Sequence, residues 1–256
     1  MAIERCCFAG VGAFKVREYG KPETKWINIG DVSAATENRD ITTISNPNRT
    51  TPGGGNSCSI TRYNAVTVDL ELQCHKDFNL AIADGAEVTA GSVTPVVDEP
   101  HRAYKGSYIR LNKGIPVNST IVVENTAGTT TYALGTDYVV SGSGIFIPES
   151  SSIADPVGPA FAANVNISYT PAPQSHSEAF LKTGVEYEVW FDAINEENNK
   201  RASITYLRAK FGPADAREWL SDGFQNLNVT AELLVDSNRI GAGLSGRAYH
   251  DYENAV

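Results

Sequence analysis

The chain has 256 residues, 41% of them hydrophobic and 20% charged, and its 21 Lys and Arg against 30 Asp and Glu leave a formal net charge of −9. That length can bury a core without disulfides and accommodates two domains, while the acidic balance excludes a protein that grips nucleic acid through clustered Lys and Arg on its phosphates. Met1–Gly20 lacks a signal-peptide pattern, and no apolar run approaches the ~20 residues that a membrane helix needs, so the expectation is a protein made in a cytoplasm with no membrane partner.

Cys6 and Cys7 are adjacent and point to opposite faces of any strand, and Cys58 and Cys74 lack a partner at zinc spacing, so all four read as reduced, packed thiols. Phe14–Tyr19 and Lys25–Ile29 read as two short strands joined by the Gly20-Lys21-Pro22-Glu23 turn. From Glu37 to Ser57 the chain turns polar and rich in breakers, with Pro47, Pro52 and the run Gly53-Gly54-Gly55. A long loop is expected there, and because structureless loops of that length are uncommon inside a domain, it is expected to order against something outside its own. The clearest strand follows, with Val66, Val68, Leu70 and Leu72 on one face and Thr67, Asp69, Glu71 and Gln73 on the other. His75–Gly85 is the best helix, capped by Asp77, filled by Phe78, Leu80, Ala81 and Ile82, stopped by Gly85, and expected to cover the apolar side of the sheet.

Thr94–Pro173 differs from its surroundings. All four Cys and all three Trp lie outside it, and it carries only 10 of the 51 charged residues. It reads as an independent domain inserted at an outward-facing loop of a discontinuous host, Met1–Val93 with Gln174–Val256. Short strands at 108–111, 120–123, 137–140, 144–147 and 165–169 predict a small β-sandwich, left through the stiff Thr170-Pro171-Ala172-Pro173 linker.

In the resumed host, Val185, Tyr187, Val189 and Phe191 alternate with Glu186, Glu188, Trp190 and Asp192. After a polar turn, Ile204, Tyr206, Arg208 and Lys210 alternate with Thr205, Leu207, Ala209 and Phe211. The last strand sets Leu227, Val229, Ala231, Leu233 and Val235 against Asn226, Asn228, Thr230, Glu232 and Asp236. An apolar face opposite a face of carboxylates and amides fits an antiparallel sheet with one side in water.

Motifs for chemistry are weak. Gly10-Val11-Gly12 has Lys15 in place of a third glycine and no βαβ context, and Gly53-Gly54-Gly55 is followed by Asn56 instead of the Lys-Ser/Thr of a phosphate loop. Cys74-His75 are adjacent and diverge, His101, His176 and His250 are scattered, and Ser245 lacks a nucleophile elbow. Glu186 and Glu188 sit two apart like a glycosidase pair, but the same spacing at Asp69 and Glu71 marks a solvated strand face. The expectation is a protein that is not an enzyme and uses no cofactor and no metal.

Several stretches together resemble the major tail tube protein of long-tailed, siphovirus-type bacteriophages. They are Lys25-Trp26-Ile27-Asn28-Ile29-Gly30-Asp31-Val32 with the polar segment after it, Ala65–Leu72 with the short helix ending at Gly85, Thr131–Val140 with Gly144–Pro148, and Gly223–Leu227 leading to Glu232–Asp236. The resemblance implies a mainly β, sandwich or barrel subunit with one flanking helix. It implies homo-hexameric rings stacked into a hollow tube in the virion, with a continuous inner barrel, a polar segment reaching the next ring, and an outward domain as decoration. It also implies tape measure, tail terminator and distal tail proteins as partners, and DNA that passes through the lumen without specific binding.

Under that reading, Asp69, Glu71, Glu186, Glu188 and Glu232 are candidates to line the lumen, where an acidic wall lets DNA slide. Arg39, Asp40, Asn46, Pro47, Arg49, Pro52, Gly53, Gly54 and Gly55 are candidates for the contact between rings. Arg208 and Lys210 interrupt the acidic pattern and are candidates for ion pairs between subunits. Two alternatives stay open: a carbohydrate- or cell-surface-binding β module using insert loops with Tyr104, Tyr108, Tyr132 and Tyr138, and the tube of a contractile injection or secretion system.

Overall fold

The computed structural model describes residues 8–50, 52–117, 119–157, 162–182, 184–220 and 222–253; Cys6 and Cys7, read above as packed thiols, lie outside them. In chain order the strands and helix are β1 (Gly10–Glu18), β2 (Ile27–Asn28), β3 (Val32–Pro47), β4 (Asn56–Leu72), α1 (Asp77–Ala83), β5 (Glu87–Ala90), β6 (Val96–His101), β7 (Ser107–Arg110), β8 (Ile121–Asn125), β9 (Val139–Ser141), β10 (Gly144–Ile147), β11 (Val165–Tyr169), β12 (Ser175–Glu178), β13 (Glu186–Asn195), β14 (Lys200–Phe211), β15 (Leu227–Leu233), β16 (Ile240–Gly241), β17 (Leu244–Ser245) and β18 (Ala248–Tyr252). The protein is mainly β, with one α-helix among the described residues. It divides into a host unit, Met1–Val88 with Ser177–Val256, and an inserted unit, Thr89–His176, just outside the boundaries expected from composition.

The host is built on one eight-stranded sheet in the order β2-β1-β13-β14-β15-β4-β3, with β18 also on β14. Alternation decides which side is buried. Phe14 and Val16 on β1, Val66, Val68, Leu70 and Leu72 on β4, Val189 on β13 and Leu227, Val229, Ala231 and Leu233 on β15 form one core. Phe78, Leu80 and Ile82 of α1 pack onto it, the Phe78 ring meeting Tyr187 edge-on at 5.5 Å. Asp77 is the first helical residue and not the cap; Lys76 holds the N-cap position without a side-chain hydrogen bond. Gly85 ends the helix as expected, at φ +55, with a backbone oxygen of Lys182 where a Cβ would sit.

β14 departs from simple alternation. A bulge sets Tyr187 opposite Ala209 but Val189 opposite Tyr206, so the strand changes face between Tyr206 and Ala209. Tyr206, Ala209 and Phe211 therefore all reach the core, and Arg208 and Lys210 join the polar side. Strict alternation had put Ile204 and Tyr206 with Arg208 and Lys210; a bulge is a property of two strands together and cannot be read from one.

The segment expected to be a loop, Glu37–Ser57, is instead most of β3, the turn after it and the start of β4, within one long β-hairpin. β3 and β4 pair from Val32 opposite Leu72 to Pro47 opposite Asn56, with register shifts between Val32 and Ala34, Asp40 and Ile41, and Asn46 and Pro47. The β-branched stretch Ile41-Thr42-Thr43-Ile44 suits a strand, and the breakers stand only where the hairpin ends. Pro47 is the last residue of β3, and Gly53, Gly54 and Gly55 supply the positive φ values (+110, +72, +97) of the tip.

The inserted unit has two three-stranded sheets, β7-β10-β9 and β6-β11-β8, which share one core of Ile109, Ile145 and Ile147 with Ile121, Val123, Val165 and Ile167. That is the small sandwich expected, plus β6, which the sequence reading missed. The Thr170–Pro173 exit is tied down: Pro171 is buried, and the Ala172 amide donates to the Gly114 carbonyl at 3.0 Å. β5 pairs with β12 where the chain enters and leaves the unit.

Candidate functional site

Opposite its core, the host sheet presents one polar face, fixed by register. Arg17 stands opposite Glu188, Glu186 opposite Lys210, Lys210 opposite Glu232, Thr230 opposite Asp69 and Asn228 opposite Glu71. Residues directly opposed in an antiparallel pair share a face, so Asp69, Glu71, Glu186, Glu188 and Glu232 all lie on this side. The five acids picked from sequence thus belong to one surface.

That surface is not uniformly acidic. On the β1–β13–β14 side each carboxylate has a cation. Arg208 grips Glu186 with two hydrogen bonds of 2.7 and 2.9 Å, Arg17 pairs with Glu188, and Lys15 Nζ lies 3.0 Å from Asp192 Oδ2. Trp190 and Trp26 bind the row together, with Lys15 4.0 Å above the Trp190 ring and Arg17 4.5 Å above Trp26. The hydrogen bonds from Arg208 hold the Glu186 carboxyl below the usual carboxylate range. Arg208, expected to reach a neighbouring subunit, is therefore engaged within its own chain; the bulge in β14 places it against Glu186. Lys210 is exposed and opposes both Glu186 and Glu232 in register.

On the β15–β4–β3 side the carboxylates meet neutral donors. Asn38 Nδ2 and Thr230 Oγ1 donate to the two oxygens of Asp69 at 2.6 and 2.7 Å, and Ser33 Oγ donates to Glu71 Oε2 at 3.0 Å. Among the described residues neither Asp69 nor Glu71 makes an ion pair. Uncompensated negative charge is thus concentrated on β4.

The second candidate element is the outer part of the β3–β4 hairpin, hereafter the arm. Asp40–Pro47 and Asn56–Asn64 are exposed on both faces. Ile41 opposes Tyr63 and Ile44 opposes Ile60, which alternation puts on opposite faces of the ribbon, and all four stay about half exposed. Arg39 donates to Glu37 Oε1 at 2.6 Å and Asp40 accepts from Asn64 Nδ2 at 3.1 Å, both within the ladder. Asn46 and Pro47 close β3, while Arg49, Pro52, Gly53, Gly54 and Gly55 form the tip, where the Asn48 amide donates to the Gly55 carbonyl at 2.7 Å. Arg39–Val66 contains three Arg and one Asp, a basic segment in a chain of net charge −9. Cys58, expected to be packed, lies exposed on this arm.

Lys15 and Arg17, which neutralise half of the polar face, were missed, although their alternation with Phe14 and Val16 is as regular as that of the acids. Asn79 was missed too. It is fully buried and clamps α1 to the chain by donating to the Ile29 and Cys74 carbonyls at 2.7 and 2.6 Å. The four insert tyrosines do not form one surface. Tyr138 is in the core and donates to the Ile121 carbonyl at 2.6 Å, Tyr132 packs against the core, and Tyr104 and Tyr108 are exposed.

No curated protein matches the chain. The family described as "protein of unknown function UCP028589" matches residues 7–249, nearly the whole length, and the chain belongs to that family.

Proposed function

We propose that the chain is the subunit of a hollow, self-assembling tube of the phage tail type, made of stacked rings through which DNA passes. The arm carries this reading. A two-stranded ribbon has no core of its own and is marginal in water, and this one exposes isoleucines and a tyrosine on both faces. Such a ribbon gains its stability by docking, and its basic charge suits the acidic surface of a second copy. The open sheet supports the same reading. Its order ends at β2 and β3 and, among the described residues, β3 has no strand on its outer side and Gly10–Ala13 of β1 none beyond β2. Long free edges are aggregation hazards unless an assembly pairs them.

The polar sheet face is the wall we assign to the lumen. Duplex DNA carries about one negative charge per 1.7 Å of axis, so a wall of free cations would hold it. Here Lys15, Arg17 and Arg208 are tied to carboxylates, Lys210 stands opposite Glu186 and Glu232, and β4 adds unpaired negative charge. The wall repels the phosphates weakly and offers them few free cations to grip.

Negative-stain electron microscopy with sedimentation velocity, on purified protein over a range of concentrations, tests the reading. Rings or hollow tubes are expected as concentration rises. A monomer or trimer at every concentration would overturn it.

A further inference from the structure

The geometry points to an oxyanion-binding cleft in the inserted unit, built on Arg110 and Lys113 and suited to the carboxylate or phosphate of a hydrophilic ligand. It stands independently of the tube reading.

The cleft has a volume of about 460 Å³ and is lined by Arg110, Asn112, Lys113, Ser143, Gln174 and His176 among others. The inserted unit has only four Lys and Arg, and two of them meet here. Among the described residues neither Arg110 nor Lys113 makes an ion pair. Two uncompensated cations beside one cleft create a local positive potential in a chain of net charge −9. Among the described residues no Trp, Tyr or Phe lines the cleft, so recognition rests on charge and hydrogen bonds and not on ring stacking.

The turn that carries Lys113 is held by side chains. Three successive amides each donate to one: Asn112 N to Glu99 Oε1 at 3.1 Å, Lys113 N to the Tyr169 hydroxyl at 3.2 Å, and Gly114 N to Gln174 Oε1 at 3.0 Å. The Gly114 carbonyl accepts from Ala172 N. Glu99 is buried, with His101 Nε2 2.5 Å from one oxygen and the Tyr169 hydroxyl donating to the other at 2.6 Å. Burial pushes Glu99 up, but the Tyr169, Asn112 and His101 contacts together hold it below its usual range; burial and Glu99 raise Tyr169 to about 12. Glu99 thus stays an acceptor and Tyr169 a donor across the physiological range. Removing a carboxylate from water is costly, and here the buried network fixes a surface turn bearing unpaired cations. A rigid frame with free charges at its rim is how a binding site is preorganised.

Ligand-observed NMR on the full chain tests this whatever its state of assembly. Inorganic phosphate is followed by its ³¹P line width and D-glucuronate by saturation transfer, with D-glucose as the neutral control. Millimolar binding of at least one anion is expected, weakening with added salt, absent for glucose, and reduced tenfold or more in the R110A/K113A variant. A response to phosphate alone would identify a phosphate-bearing ligand, and one to glucuronate alone a carboxylate sugar. Silence from both anions, an equal response to glucose, or an unchanged response in the variant would overturn the proposal. Arg110 is exposed and Lys113 half-buried, and an unchanged denaturation midpoint for the variant excludes misfolding as the cause.

Discussion

The two halves of the β3–β4 hairpin share one ladder and differ in everything that stabilises it. From Val66 to Leu72, β4 lies between β3 and β15 and alternates buried with half-exposed or exposed residues; from Asn56 to Asn64 it pairs, among the described residues, only with β3 and is exposed throughout. A ladder hydrogen bond contributes about 0.5–1.5 kcal/mol net, while fixing a residue's backbone costs about 1–2 kcal/mol. In the inner half, burial of Val66, Val68, Leu70 and Leu72 tips that balance. In the outer half nothing within the subunit does, so that half is expected to acquire its stability from a partner.

The sharpest way to break this contrast is to remove the outer half. Deleting Asn46 to Gly55 is expected to leave a folded subunit, with near-native circular dichroism and denaturation midpoint, that no longer stacks into tubes in electron micrographs. Normal tubes from the deletion variant would show that the arm has no part in assembly.

A pair of point substitutions measures the contrast more finely. Leu70 is 1% exposed in the core, so Leu70→Ala is expected to cost the subunit about 2–5 kcal/mol in urea denaturation. Ile44→Ala, on the arm, is expected to fall within about 0.5 kcal/mol of the unaltered protein while raising the concentration needed for assembly. Equal losses from the two would mean that the arm is packed within the subunit after all.

The inner half was legible in the sequence and the outer half was not, for one reason. Alternation is a record of burial, and Val66–Leu72, Val185–Phe191 and Leu227–Leu233 carry it because each has a core on one side. The arm has no core, so Ile41 and Ile44 follow no simple period, and Pro47 with the three glycines dominated the reading. The seam around the insert showed because composition changes there. The five acids fell on one face because strand period is local. Their partners were hidden because pairing is not: Arg17 and Glu188 are 171 residues apart, and Arg208 meets Glu186 only through a bulge. Asn79 left no signal, since a buried amide inside an apolar helix looks like any surface asparagine.

The smallest expected effect concerns Arg208, whose partner decides whether it serves its own subunit or the next. The pair with Glu186 is partly exposed, at 32% and 26% of its side chains, so Glu186→Gln is expected to cost only about 0.2–1 kcal/mol at neutral pH. Its pH dependence is more telling than its size. Because Arg208 holds the folded Glu186 carboxyl below its ordinary value of 4.5, the stabilisation is complete above that value, shrinks as pH falls beneath it, and is gone once Glu186 is protonated in the folded chain. Urea denaturation of the unassembled subunit should therefore give parallel curves for the unaltered protein and Glu186→Gln at pH 6 to 8, and converging ones below about pH 4.5. Curves that coincide at every pH would mean that Glu186 and Arg208 do not pair in the free subunit, which would release Arg208 for a carboxylate on a neighbour.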